Sequence, residues 1–262
     1  GDINVVTSLI SGGTTRIGSA TDVTIALAPG TNGDIVVDAA DAIVATTVDA
    51  GGLIDADGAS IDIGSARGGS SLTLRARTGQ LKLDTGTAGT AISLTKEGNS
   101  GELQAGSLDA DDSVDIESST HARLDTIESA TGSVAIMAAG DVTGIGTDAR
   151  THIAADGDGA NVAIDAGGLA RLDVVSAGDS IAIDAASIDA NDVSAADGTL
   201  AMTARSGQLT LGSGSSGGSA TIIKQGGTGE LVLTSLDAGG TATLTSATSL
   251  RAQDIVSRGG DV

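Results

Sequence analysis

The chain has 262 residues, with 34 acidic residues against 13 basic ones for a net charge of −21, and it contains no Phe, Tyr, Trp or Cys. Without aromatics any core must be narrow and filled by Val, Ile, Leu and Ala; without Cys, thiol nucleophiles and cysteine metal sites are excluded. So acidic a surface repels phosphate backbones and anionic lipids, which disfavours nucleic-acid and membrane-surface binding.

The 40 glycines and the charge favour disorder, but 40% of residues are hydrophobic, mean hydropathy is positive, and apolar residues alternate with polar ones. Alternation of that kind predicts ordered strands. The acid is 29 Asp and only 5 Glu; Asp suits turns, whereas Glu is the better helix former. No stretch approaches the length of a transmembrane helix and no signal peptide or initiator Met is present, so a segment of something longer, or a mature product, is expected.

In chain order, an insertion is expected near Ser11 to Thr21, because Gly1 to Val37 is longer than the corresponding Gly140 to Ile164. Inward strand positions then recur at Leu53, Leu72, Leu94, Val114 and Val134, in steps of 19, 22, 20 and 20. The second half continues through Val134, Val162, Ile181, Leu200, Ile222, Ala242 and Val262, where the first step, of 28, contains a loop and the others are 19, 19, 22, 20 and 20. Each position opens a short alternating segment, such as Ser133-Val134-Ala135-Ile136 or Thr241-Ala242-Thr243-Leu244, and Gly, Asp, Asn and Ser clusters such as Ala238-Gly239-Gly240 mark the turns.

A longer repeat lies over this one. Ala76-Arg77-Thr78-Gly79-Gln80-Leu81 returns 128 positions on as Ala204-Arg205-Ser206-Gly207-Gln208-Leu209, Lys96 meets Lys224, and Gly101-Glu102-Leu103 meets Gly229-Glu230-Leu231. Upstream the offset is 127, matching Ser60-Ile61-Asp62 to Ser187-Ile188-Asp189. A unit of about 20 residues with strands and no helical pattern predicts an all-β fold, a right-handed parallel β-helix (β-solenoid). The strict six-residue apolar repeat of a hexapeptide coil is not present. The expected organisation is a single continuous solenoid over 1–262, duplicated as about 1–133 and 134–262, with roughly 13 coils and a length on the order of 60 Å. Gly1-Asp2-Ile3 and Gly260-Asp261-Val262 carry no polar cap, so further coils or other copies of the chain are expected against the ends.

Segments of the form G-x-V-x-I-x-A, as in Gly132-Ser133-Val134-Ala135-Ile136 and Gly178-Asp179-Ser180-Ile181-Ala182-Ile183, resemble the repeats of filamentous-haemagglutinin-type adhesins over nearly the whole chain. Leu94 to Leu103 and Ile223 to Leu231 are similar to the K-x-G-x-G-x-L strand-turn of autotransporter passengers, with one or two residues inserted before Gly-Glu-Leu. The resemblance implies a secreted, cell-surface β-helical fibre segment in adhesion or biofilm matrix, exported by two-partner secretion through an outer-membrane barrel or as an autotransporter. A surface glycan or receptor is the partner expected if the chain is instead a binding module.

Catalysis is not expected. Polysaccharide-cleaving β-helix enzymes join carboxylates to aromatic sugar platforms, which this chain lacks, and a pair such as Asp111 and Asp112 reads as a solvated turn. His121 and His152 have no repeat partner and read as exposed strand or loop residues. Asp156-Gly157-Asp158-Gly159 offers oxygen ligands for calcium, but without a recurring nonapeptide it reads as an acidic turn. Thr14-Thr15 and Thr241-x-Thr243 do not recur at the coil period and read as ordinary strand surface. Lys96 with Glu102, and Lys224 with Glu230, are expected to form a ladder or turn-stabilising ion pair. No catalytic, cofactor or metal residue is therefore assigned; the expected function is a structural rod, with a carbohydrate- or receptor-binding module using one face or the Ser11 to Thr21 loop as the alternative.

Overall fold

The computed structural model describes residues 3–5, 13–19, 21–25, 28–31, 33–147 and 149–260. They form 25 strands and no helix, stacked as a parallel β-solenoid of about 12 turns with about 20 residues per coil. The chain divides into two compact units, Gly1–Arg123 and Leu124–Val262.

In the first unit the inward position opening one strand of each coil runs Ile35, Ile54, Leu72, Ile92 and Val114, each paired in parallel with the next, in steps of 19, 18, 20 and 22. A second ladder runs Ile43, Ile61, Leu81 and Leu103. All these side chains are buried. Period-two alternation sends every second residue inward, so strands such as Leu72–Ala76 bury Leu72, Leu74 and Ala76 while Thr73 and Arg75 face out. The longer strands bend where two successive residues face outward, as Asp84 and Thr85 do in Leu81–Ala88.

In the second unit one ladder runs Val134, Val162, Ile181, Leu200, Ala220 and Ala242, in steps of 28, 19, 19, 20 and 22. Its companion runs Ala170, Ile188, Leu209, Leu231 and Leu250. The step of 28 holds the expected loop: between Val142–Thr143 and Thr151–Ala155 the chain leaves the coil and closes on itself through Gly144 N–H to the Ala149 carbonyl at 3.0 Å.

The register differs from the sequence expectation at three places. Leu53 is half-buried and Ile54 takes the inward position. Leu94 pairs with Leu74, and Ile222 with Met202, so the ladder partners of Leu72 and Leu200 are Ile92 and Ala220. Both displaced residues do face inward, and a shift of two preserves the face. The two additional residues of these coils lie downstream, in the turns 97–102 and 225–230, where the preceding coils have only 77–80 and 205–208. The insertion expected near Ser11 to Thr21 is corrected in part: Thr15–Ser19 is a strand paired in register with Ile35–Ala39, while Ser11, Gly12 and Ala20 lie outside the described residues. Gly1, Asp2, Asp261 and Val262 also lie outside them.

Mixed residue sizes fill the narrow interior. Gly86 sits on the inward rung between Ala66 and Leu108, and Gly214 between Val193 and Leu236. A Cβ on Gly86 would stand 2.8 Å from Leu83 Cδ2 and 2.9 Å from Leu108 Cδ2, so the missing side chain is the space the leucines occupy.

Candidate functional site: lysine turns, arginine ladders and an open edge

Lys96 ends a strand whose inward positions are Ile92 and Leu94, and alternation turns its side chain inward as well. It is 1% exposed. Its aliphatic stem continues the core, and its ammonium donates to the carbonyls of Gly98 and Glu97 and to Ser119 Oγ. Ser119 comes from the next coil, and its hydroxyl, with one proton to donate, lies against the same two carbonyls. The buried cation thus closes the turn that follows it. Burial pushes the Lys96 pKa below the ordinary lysine value.

Lys224 takes the same inward position in the second unit, fully buried and donating to the Gly226 carbonyl at 2.6 Å. The pairing expected between each lysine and the Glu six residues on does not form. Glu102 instead pairs with Arg123 (2.6 Å) and Glu230 with Arg251 (3.2 Å), each arginine lying one coil further along. The lysines point inward and the glutamates, at half-exposed turn positions, point outward.

Outside, arginines bind carboxylates stacked on successive rungs. Asp165 pairs in register with Asp184, and Arg205 Nη1 bonds both, at 3.1 and 2.9 Å, while Nη2 holds the Ala166 carbonyl. Arg77 does the same in the first unit, contacting Asp38, Asp57 and the Ala39 carbonyl. These are the arginines of the repeated Ala-Arg-Thr/Ser-Gly-Gln-Leu segment, and each reaches back across two coils to neutralise like charges that the parallel register would otherwise leave adjacent. Arg150 secures the base of the 144–149 loop by two bonds of 2.8 Å to the Asp189 carboxylate, with further bonds to the Leu172 and Asp189 carbonyls.

The strand Leu250–Ser257 lies on Leu231–Ala238 and is the last described rung. Leu250, Ala252 and Ile255 occupy the rungs of buried Leu231, Leu233 and Leu236, but none of the three is buried and Leu250 is 43% exposed. A groove beside this edge is lined by Ser194, Ser215, Asp237 and Arg258; hydrogen bonds from Arg258 hold the Asp237 carboxyl below its ordinary range.

The remaining sequence candidates stay apart. His121 is exposed and contributes its carbonyl to Leu103 N–H and Ser118 Oγ–H, whereas His152 is half-buried on the strand Thr151–Ala155. Asp156 to Gly159 form a turn, with both carboxylates exposed. Among the described residues no group of three or more His, Asp and Glu side chains is placed to hold a metal ion. No protein-family model, curated protein or solved structure matches the chain.

Proposed function

We propose that the chain is a structural rod or fibre segment of a large secreted bacterial surface adhesin, with a mechanical, non-catalytic role supporting cell adhesion or biofilm matrix. The observation that carries this reading is the repeated chemistry of the coil within each unit. Successive rungs repeat parallel hydrogen bonding over aliphatic columns, as from Ile181 to Leu200 and from Leu209 to Leu231. The partner this favours is a further coil, from the parent chain or from another copy.

The resemblance of the repeats to filamentous-haemagglutinin-type adhesins supports secretion and a cell-surface location, with an outer-membrane barrel as the exporter. The acidic exterior, at a net −21, favours solubility and opposes sideways aggregation. Electron microscopy of the purified chain over a concentration series tests self-association: filaments that lengthen with concentration are expected. Discrete particles of constant size at every concentration would overturn assembly between copies and restrict the role to a spacer within the parent chain.

A further inference from the structure

The two lysine turns, 128 residues apart, form an internal control. Their second-coil partners match almost bond for bond. Ser118 Oγ bonds the His121 carbonyl as Ser246 Oγ bonds that of Ser249, at 3.1 and 3.0 Å. Thr120 Oγ1 bonds the Gly101 carbonyl as Thr248 Oγ1 bonds that of Gly229, at 2.8 and 2.7 Å. The backbone bonds correspond too: Glu97 N–H to Ala76 and Ser119 N–H to Lys96 in one copy, Gln225 N–H to Ala204 and Ala247 N–H to Lys224 in the other, all between 2.8 and 3.0 Å.

Two substitutions, and the lysine contacts that follow from them, leave the second copy with fewer partners. Ser119 is replaced by Ala247, which removes the hydroxyl that joins the cage from the next coil. Glu97, held by Arg75 at 2.7 and 2.9 Å, is replaced by Gln225, and the rung equivalent to Arg75 carries Thr203. Both lysines donate to the carbonyl two residues on, Gly98 or Gly226, but Lys96 also has the Glu97 carbonyl and Ser119 Oγ at 3.5 Å, for which Lys224 has no counterpart among the described residues. An ammonium has three protons to place, and a buried one with a single acceptor holds its turn less firmly.

We infer that the two turns are unequal latches, and that the turn 225–230 is a built-in point of local opening. The coil that rests on it carries the strand Leu250–Ser257, whose inward residues Leu250, Ala252 and Ile255 are less buried than Leu231, Leu233 and Leu236 beneath them. The inequality itself rests on the comparison of the two copies and holds whether or not chains stack.

Residue-resolved amide exchange on the intact chain, expressed as protection relative to the unstructured rate, tests it. Gln225 and Ala247 amides are expected to be about tenfold less protected than Glu97 and Ser119, the change given by one or two lost hydrogen bonds. Ala247→Ser, at an exposed site that accepts a hydroxyl, should raise protection at Gln225 several-fold; Ser119→Ala should lower it at Glu97 by a similar factor. Equal protection of the two turns in the unaltered chain would overturn the inference. So would an Ala247→Ser chain with unchanged exchange at Gln225, because fraying of the last strands would then account for the difference.

Discussion

Lys96 places a charge where the coil would otherwise bury an aliphatic residue, and its two halves act in opposite directions. The stem packs and the ammonium closes the turn, yet taking the charge out of water has a cost that the lowered pKa registers. Lys96→Met keeps the stem and removes the charge; Lys96→Ala removes both and leaves a cavity. Urea unfolding is therefore expected to show Lys96→Ala destabilised by about 2–4 kcal/mol and Lys96→Met by clearly less. The pH dependence separates the terms. Because the native pKa lies below the ordinary 10.5, the unfolded chain keeps its proton in a range where the native chain has lost it. Stability contributed by Lys96 therefore rises with pH between the lowered native value and 10.5. The difference in unfolding free energy between the unaltered chain and Lys96→Met should grow in favour of the lysine chain across that window, and a flat difference would refute the assignment.

At the scale of the coil, the interior and the exterior are stabilised by different devices. Inside, Gly86 and Gly214 admit the leucines of the next rung. Gly86→Ala should destabilise by about 1–3 kcal/mol through overpacking, as the loss of urea midpoint would show. Outside, Arg205 spans the stacked Asp165 and Asp184 at positions open to solvent. Arg205→Ala should lower the thermal midpoint at low ionic strength, and most of that loss should disappear in about 1 M salt, where the Debye length is near 3 Å. Much of this coil was legible in the sequence: alternation identified inward residues such as Leu72, Val114, Val134 and Ile181, though it set Leu53 where Ile54 belongs, the beat of about 20 residues marked the coil, and the 128-residue offset paired the two lysine turns. The ladder partners of Leu72 and Leu200 were not legible, because residues i and i+2 share a face and only turn closure decides where two additional residues go. The lysine's direction was within reach of the pattern, since Lys96 falls on the same parity as Ile92 and Leu94; its charge pointed instead to a surface pair with Glu102. The Arg205 contacts, 21 and 40 residues away in sequence, depend on a stacking register that no local signal carries.

For the whole molecule, the stacking of copies proposed above would set the apolar residues of the strand Leu250–Ser257 against the net charge of −21. Burying Leu250, Ala252 and Ile255 against another coil favours contact in proportion to the apolar area removed from water, and this attraction is little affected by moderate salt. Repulsion between two acidic chains acts over the Debye length, about 30 Å at 0.01 M and 8 Å at 0.15 M ionic strength. Self-association is therefore expected to be suppressed in dilute buffer and to increase as salt rises from about 0.01 to 0.15 M, read as sedimentation or as filament length in micrographs. Ile255→Asp puts a carboxylate on the receiving rung without disturbing the buried columns beneath it, and should abolish association at every salt concentration while leaving the circular-dichroism β signal unchanged. Association that persists in Ile255→Asp would place the contact elsewhere on the surface and remove the edge from the mechanism.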